Sequence, residues 1–132
     1  MATLFIRAFL GHMIGDYLFQ TTFMAFNKKG SGWKGTWACT FHCLTYTAPV
    51  CLLLWTSNWL VWLLVFASHW LIDRTKFVAW WMDKVKGLTF KKAESAGTFL
   101  TATYSFLSIA VDNTFHFLSL WLIIEFLMVK KM

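Results

Sequence analysis

The chain has 132 residues, 58% of them hydrophobic, 20% aromatic and only 14% charged, with a mean hydropathy of +0.57. So little charge over such long runs excludes an ordinary soluble domain. The formal charge of +6 and pI near 9.4 could suggest nucleic acid, but the basic residues collect between apolar segments, as in cytoplasmic loops beside anionic lipid, and no nucleic-acid partner is expected.

The first apolar segment covers about 4–25. It carries His12 and Asp16, has only Arg7 as a positive flank and lacks a small-residue exit, so it reads as a retained helix and not a cleaved signal. A glycine-broken basic loop with Lys28, Lys29 and Lys34 follows. The second segment covers about 36–55 and includes Pro49, tolerable in a membrane helix whose neighbours satisfy the freed carbonyl. Its Cys39, Cys43 and Cys51 contain no CxxC and read as buried thiols. Thr56-Ser57-Asn58 is a short neutral turn, and a third segment covers about 59–80. Lengths near 20 residues suit a hydrocarbon layer about 30 Å thick. Trp55, Trp59, Trp80 and Trp81 stand at segment ends as an aromatic belt would.

Lys84, Lys86, Lys91 and Lys92 form a second basic loop. Both basic loops are expected on the cytoplasmic side, which leaves the N-terminus outside. From Gly97 to Val129 there is no Lys or Arg. This stretch is expected to hold a short interfacial or partly buried helix over 97–109 and a last span over 111–129. The alternative is a hairpin that returns Lys130 and Lys131 to the cytoplasm. The expected fold is therefore all-α: one transmembrane domain over 1–132, a polytopic bundle of four spans with an interfacial helix before the last.

Six ionisable residues inside these segments share one spacing: His12-x-x-x-Asp16, His69-x-x-x-Asp73 and Asp112-x-x-x-His116, with His42 unpaired. Four residues apart means one helix face, so each pair can act as a two-ligand claw. One such pair could be a plain His–Asp hydrogen bond. Three are harder to dismiss, because packing alone would use apolar residues and avoid the desolvation cost. Alternating helix direction also explains why the last pair is reversed: in an outward-running helix, Asp112 must precede His116 to stay in the layer of Asp16 and Asp73.

A four-helix bundle builds metal sites from such inward carboxylates and histidines. His12, Asp16, His42, His69, Asp73, Asp112 and His116 are the expected ligands of divalent metal; seven exceed the four of one tetrahedral ion, which leaves open two ions or one ion with acid/base and supporting groups. Zinc comes first, with manganese or iron next, because mixed imidazole and carboxylate ligation suits them. His42 and Asp112 are candidate acid or base groups. Lys76, three residues after Asp73 and seven after His69, shares their face if the helix continues, and could hold an anionic substrate group. Gln20 extends the first stripe. Gly11 and Gly15 give the small-x-x-x-small spacing of a close helix contact.

The segments Gly11-His12-Met-Ile-Gly-Asp16-Tyr-Leu-Phe-Gln20, Asn27-Lys28, His42, Ser68-His69-Trp-Leu-Ile-Asp73 with Lys76, and Asp112-Asn-Thr-Phe-His116 resemble the DUF3307 family of small bacterial and phage membrane proteins. That family usually shows Gln after the last aspartate, where Asn113 stands here. The pattern is similar, more distantly, to inner-membrane proteins described as metal-dependent hydrolases with His-x-x-x-Asp helices. The resemblance implies a multi-pass protein of the bacterial cytoplasmic membrane, or a phage-encoded one. The expected activity is metal-dependent hydrolysis of an anionic small molecule or lipid, phosphorylated or ester-containing, near the cytoplasmic leaflet. Membrane lipids are expected partners, and a homo-oligomer is compatible. The competing expectations are a proton or divalent-cation transporter and a non-catalytic scaffold or phage–host interaction protein.

Overall fold

Long apolar stretches with a single proline among them leave the backbone to satisfy itself as helix. In the computed structural model, which describes residues 2–129, the described residues form helices and turns without a strand. α1 (Ala2–Met13) runs into a π-helical turn (Ile14–Leu18). α2 (Thr22–Asn27), α3 (Gly32–Leu53), α4 (Trp59–Arg74), α5 (Phe77–Lys84), α6 (Phe90–Ser95) and α7 (Thr98–Ile124) follow, and α7 ends in a second π-helical turn (Glu125–Val129).

The expected all-α architecture is present. α1 lies antiparallel to α3, with Gly11 against Val50 and Gly15 against Tyr46. α3 lies antiparallel to α4, where Trp70 donates to the Thr40 hydroxyl and Arg74 to that of Thr36. α4 lies antiparallel to α7: Val61 and Val65 share an apolar cluster with Leu120, Ile123 and Ile124, and lower down His69 stacks on His116. The four helices thus alternate in direction around one interior. Its upper end, toward the Trp55 turn, is filled by Ala8, Val50, Cys51, Leu54 and those α4 and α7 residues.

Several of the sequence expectations change. The first segment does not continue to residue 25. The Phe19 amide reaches back five residues to Ile14, and the chain then turns extended at Thr21, whose side chain accepts from Met24 to cap α2. The third segment does not continue to residue 80 either. Thr75 is extended (φ −92°, ψ 167°), its hydroxyl accepts from the Phe77 amide, and a new helix starts there. The basic stretch after it is largely helical, since α5 and α6 both pack on α7 through Phe77–Phe115 and Phe90–Tyr104 ring contacts.

The separate helices expected over 97–109 and 111–129 are one continuous helix, and neither the break near residue 110 nor a hairpin is present. The physical reason is that the Ser and Thr residues here bond back within the helix. Thr101 donates to the Gly97 carbonyl, Thr103 to Phe99, Ser105 to Thr101 and Thr114 to Ala110, so their hydroxyls support the helix and do not offer the chain a turn. Lys130 and Lys131, which the hairpin would have returned to the cytoplasm, lie outside the described residues. Thr98–Val129, 32 residues with a mean hydropathy of 1.5 in its most apolar stretch, is the one helix among the described residues long and apolar enough to cross a membrane by itself. α1 and α4 are shorter, and α3 is diluted by Gly, Lys, Thr and His.

Candidate metal centre

Below the apolar end of the bundle the interior turns polar in layers. His12, His42, His69 and His116 are each no more than 1% exposed. Tyr46 lies among them, its ring stacked on His69 with centroids 3.5 Å apart, while His69 stacks on His116 at 4.1 Å. The aspartates come next. Asp73 is fully buried, and the side chains of Asp16 and Asp112 are 11% and 20% exposed. Lysines close the layer: Lys28 Nζ is 2.8 Å from Asp73 Oδ2, and Lys29 Nζ is 3.6 Å from Asp112 Oδ1. Burial works against the Lys28 charge, but the adjacent Asp73 outweighs it and holds the ammonium above the ordinary lysine value. The aspartates therefore share the side from which the α2–α3 loop enters.

All seven sequence-derived ligands are in this volume, and six form ligand sets. His42 Nε2 lies 2.9 Å from His69 Nε2, 3.0 Å from Asp73 Oδ2 and 3.3 Å from Asp16 Oδ1. His116 Nε2 lies 3.3 Å from Asp112 Oδ2. Three groupings bring their ligand atoms close enough to hold an ion: Asp16 with His69 and His116, His42 with His69 and Asp73, and Asp73 with Asp112 and His116. Several polar atoms of the cluster also make no hydrogen bond. Asp16 Oδ1, Asp73 Oδ1, Asp112 Oδ1 and His116 Nε2 are buried without a hydrogen bond. Orphaned acceptors are costly in an interior, and a cation satisfies several at once. The buried groups can thus hold a metal ion. Among the described residues the Nδ1 atoms of His42, His69 and His116 likewise find no hydrogen-bond partner, so no second carboxylate or carbonyl there orients those rings.

His12 differs from the other three. Its Nδ1 meets the Tyr46 hydroxyl at 3.1 Å, its Nε2 meets Asn113 Oδ1 at 2.7 Å, and Asp16 Oδ2 is 3.5 Å away. It is outside the ligand groupings and ties α1, α3 and α7 together. Asn113 also donates to the Tyr17 hydroxyl, at 2.9 Å. An amide one residue after Asp112 is therefore a structural connector across the bundle.

A cavity of about 360 Å³ opens beside the aspartates, lined by Asp16, Tyr17, Gln20, Lys28, Lys29, Asp112 and Asn113 among others. Lys76 is not there. The helix break at Thr75 ends the face it was expected to share with His69 and Asp73, and its side chain is exposed. Lys28 and Lys29 hold the position assigned to it. Lys76→Gln should accordingly leave the stability of detergent-purified protein, read by its thermal transition, within about 0.5 kcal/mol of the parent, as for an uninvolved surface residue. A larger loss would return Lys76 to the site. Cys39 and Cys43 place their sulfurs 3.9 Å apart, and no cysteine joins the ligand groupings.

The spacing signal does not reach Tyr46, although it lies one turn after His42 on the same face, which is the pattern that could have flagged it. Lys29 is legible in the sequence only as loop charge, while Lys28 continues the Gln20 stripe at the helix end and stands in the Asn27-Lys28 motif; their contacts to Asp73 and Asp112, across 45 and 83 residues of sequence, are not legible.

No curated protein and no solved structure matches the chain. A family model does, and it covers the four helices, the glycines at the α1–α3 contact and every residue of the cluster. With residues 4–132 matched, the chain belongs to the family described as protein of unknown function DUF3307.

Proposed function

We propose that the chain is a multi-pass protein of the bacterial cytoplasmic membrane whose buried His/Asp centre carries out metal-dependent hydrolysis of an anionic, phosphorylated or ester-containing substrate at the cytoplasmic leaflet. The observation that carries this reading is the position of the ligand cluster at the wall of a lysine-flanked cavity, with orphaned ligand atoms inside. Membrane insertion is supported by the apolar outer surface. Ile6, Phe41, Leu52, Leu63, Phe106 and Leu118 are all exposed on the helices around a polar interior, the inverse of a soluble domain. With the lysine side cytoplasmic, the N-terminus is outside.

A bound divalent ion, zinc by ligand type with manganese or iron next, would supply Lewis acidity and lower the pKa of water toward neutrality. Asp16, His42, His69, Asp73, Asp112 and His116 would hold it. Lys28 and Lys29 would bind and orient the anionic group at the cavity, and Lys28 can do so while resting on Gln20, whose Oε1 is 3.4 Å from its Nζ. Asp112, the most exposed carboxylate of the cluster, is placed to accept a proton from water in the cavity. His12, Tyr46 and Asn113 keep α1, α3 and α7 in register around it.

Transport of a proton or cation is the second reading, and the apolar end of the bundle weighs against it. Val50, Leu54, Val61, Val65 and Leu120, each no more than 2% exposed, fill the path from the cluster toward the Trp55 turn.

Purified protein loaded with zinc or manganese is expected to cleave a generic phosphate or carboxylic ester, to lose turnover in chelator, and to lose at least tenfold in kcat in Asp112→Asn. Stoichiometric metal without turnover on a broad lipid and ester panel overturns the hydrolase reading.

A further inference from the structure

The two oxygens of Asp73 face different groups. Oδ2 lies 3.0 Å from His42 Nε2 and 3.3 Å from His69 Nε2. Asp16 Oδ1 stands 3.3 Å from the first of those nitrogens and 3.4 Å from the second. Around an ion with zinc-like bond lengths, neighbouring tetrahedral ligands are roughly 3.3–3.5 Å apart. The measured spacings, with 2.9 Å between the two imidazole nitrogens, fall at or just inside that edge. Asp73 Oδ1 has no hydrogen bond and faces His116 Nε2 at 3.7 Å, which in turn lies 3.3 Å from Asp112 Oδ2. Asp73, Asp112 and His116 form a ligand set of their own. The remaining grouping, Asp16 with His69 and His116, takes atoms from both sets and so marks where they adjoin.

We propose that the cluster binds two divalent cations side by side: one between Asp16, His42, His69 and Asp73, the other between Asp73, Asp112 and His116, with Asp73 as the bridging carboxylate. This rests on the metal-centre reading above and adds to it the number of ions, their unequal character and the bridge. Six ligand residues exceed the four of one tetrahedral ion, and a carboxylate between two ions is how paired sites a few ångströms apart are built.

The two positions differ in chemistry. The first has two imidazoles and two carboxylates and suits zinc. The second has one imidazole and two carboxylates, leans toward manganese or iron, and keeps open positions. Asp112 also borders the cavity, so the second ion exchanges with solvent and is the one an anionic substrate meets. Lys28 Nζ, 2.8 Å from Asp73 Oδ2, cannot keep that contact beside an ion on the same oxygen. It turns toward Gln20 and the cavity.

The test uses the full chain in detergent, freed of metal and reloaded with manganese(II). Content is read by elemental analysis and coupling by electron paramagnetic resonance. Two ions per chain with an exchange-coupled spectrum are expected in the parent. Asp112→Asn is expected to keep one ion, with the spectrum of an isolated manganese. Chelator titration of the parent should remove the ions in two separable steps, which needs no variant to fold. One ion per chain in both proteins, released in one step, overturns the pair while leaving a metal centre. Two uncoupled ions overturn the bridge. No bound ion under any loading overturns the proposed function itself.

Discussion

Asp73→Ala should lower the stability of the detergent-purified protein by about 3–5 kcal/mol, read as an earlier thermal transition, the usual cost of removing one partner from a buried ion pair. Asp73 is fully buried and accepts from the Lys28 ammonium at 2.8 Å, and the Nε2 atoms of His42, His69 and His116 lie within 3.7 Å of its oxygens. Without the carboxylate, Lys28, 13% exposed, loses its hydrogen-bonded counter-ion beside three buried imidazoles, and only Asp16 and Asp112 at the edge of the cluster remain as countercharges. Bound metal would be lost as well, which adds to the drop at any fixed metal concentration. Asp83→Ala is the control: the Asp83 side chain is 41% exposed and, among the described residues, its ion pair is with Lys84 alone, so its change should stay within about 0.5 kcal/mol. Equal melting of the two variants would mean that Asp73 is not the electrostatic keystone of the interior.

Gly11→Leu is expected to prevent the native bundle from forming. A Cβ at residue 11 would lie 2.5 Å from Val50 Cα and 2.9 Å from its backbone nitrogen. These are backbone atoms, and no rotamer change clears them, so α1 must move away from α3. Overpacking that side chains can absorb costs about 1–3 kcal/mol, and here the cost must exceed that range. Separation of α1 from α3 would also open the His12–Tyr46 contact and carry Asp16 away from His42. The expected readout is loss of the monodisperse detergent-solubilised species and of stoichiometric metal. Gly87→Leu, at a position with nothing within 4 Å but a φ of +64°, should cost only local backbone strain of about 1–2 kcal/mol. A Gly11→Leu protein that melts with the parent would show that the close α1–α3 approach does not set the fold.

The spacing of four between His and Asp was enough to read both the shared helix faces and the layering of aspartate below histidine, because helix periodicity is local and direction reverses with each turn. What sequence did not reveal was where helices stop. The helices stop at Thr21 and Thr75 with no glycine or proline at those points: the Thr21 hydroxyl caps α2, and the Thr75 hydroxyl accepts from the first amide of α5. A threonine inside an apolar run carries no sign of which role it takes, as the intact helix through Thr101, Thr103 and Thr114 shows. Lys76 was placed on the cluster's face by extrapolating through such a stop, whereas the lysine that meets Asp73 is Lys28, from the end of α2. Asn113 belongs to the site through a contact of 101 residues in sequence separation, beyond the reach of any periodicity, whereas Tyr46 shares the helix face of His42 one turn on.

The early stop of α4 has a mechanical consequence. Its 16 residues reach only about 24 Å at 1.5 Å per residue, some 6 Å less than an average hydrocarbon layer. In the membrane proposed for this chain, lipid beside α4 must compress or let headgroups sink to meet its end. That end is the one carrying Asp73 and Arg74. The aspartate layer then sits at the floor of a dimple in the cytoplasmic leaflet, within reach of water and headgroup phosphates without any helix having to move.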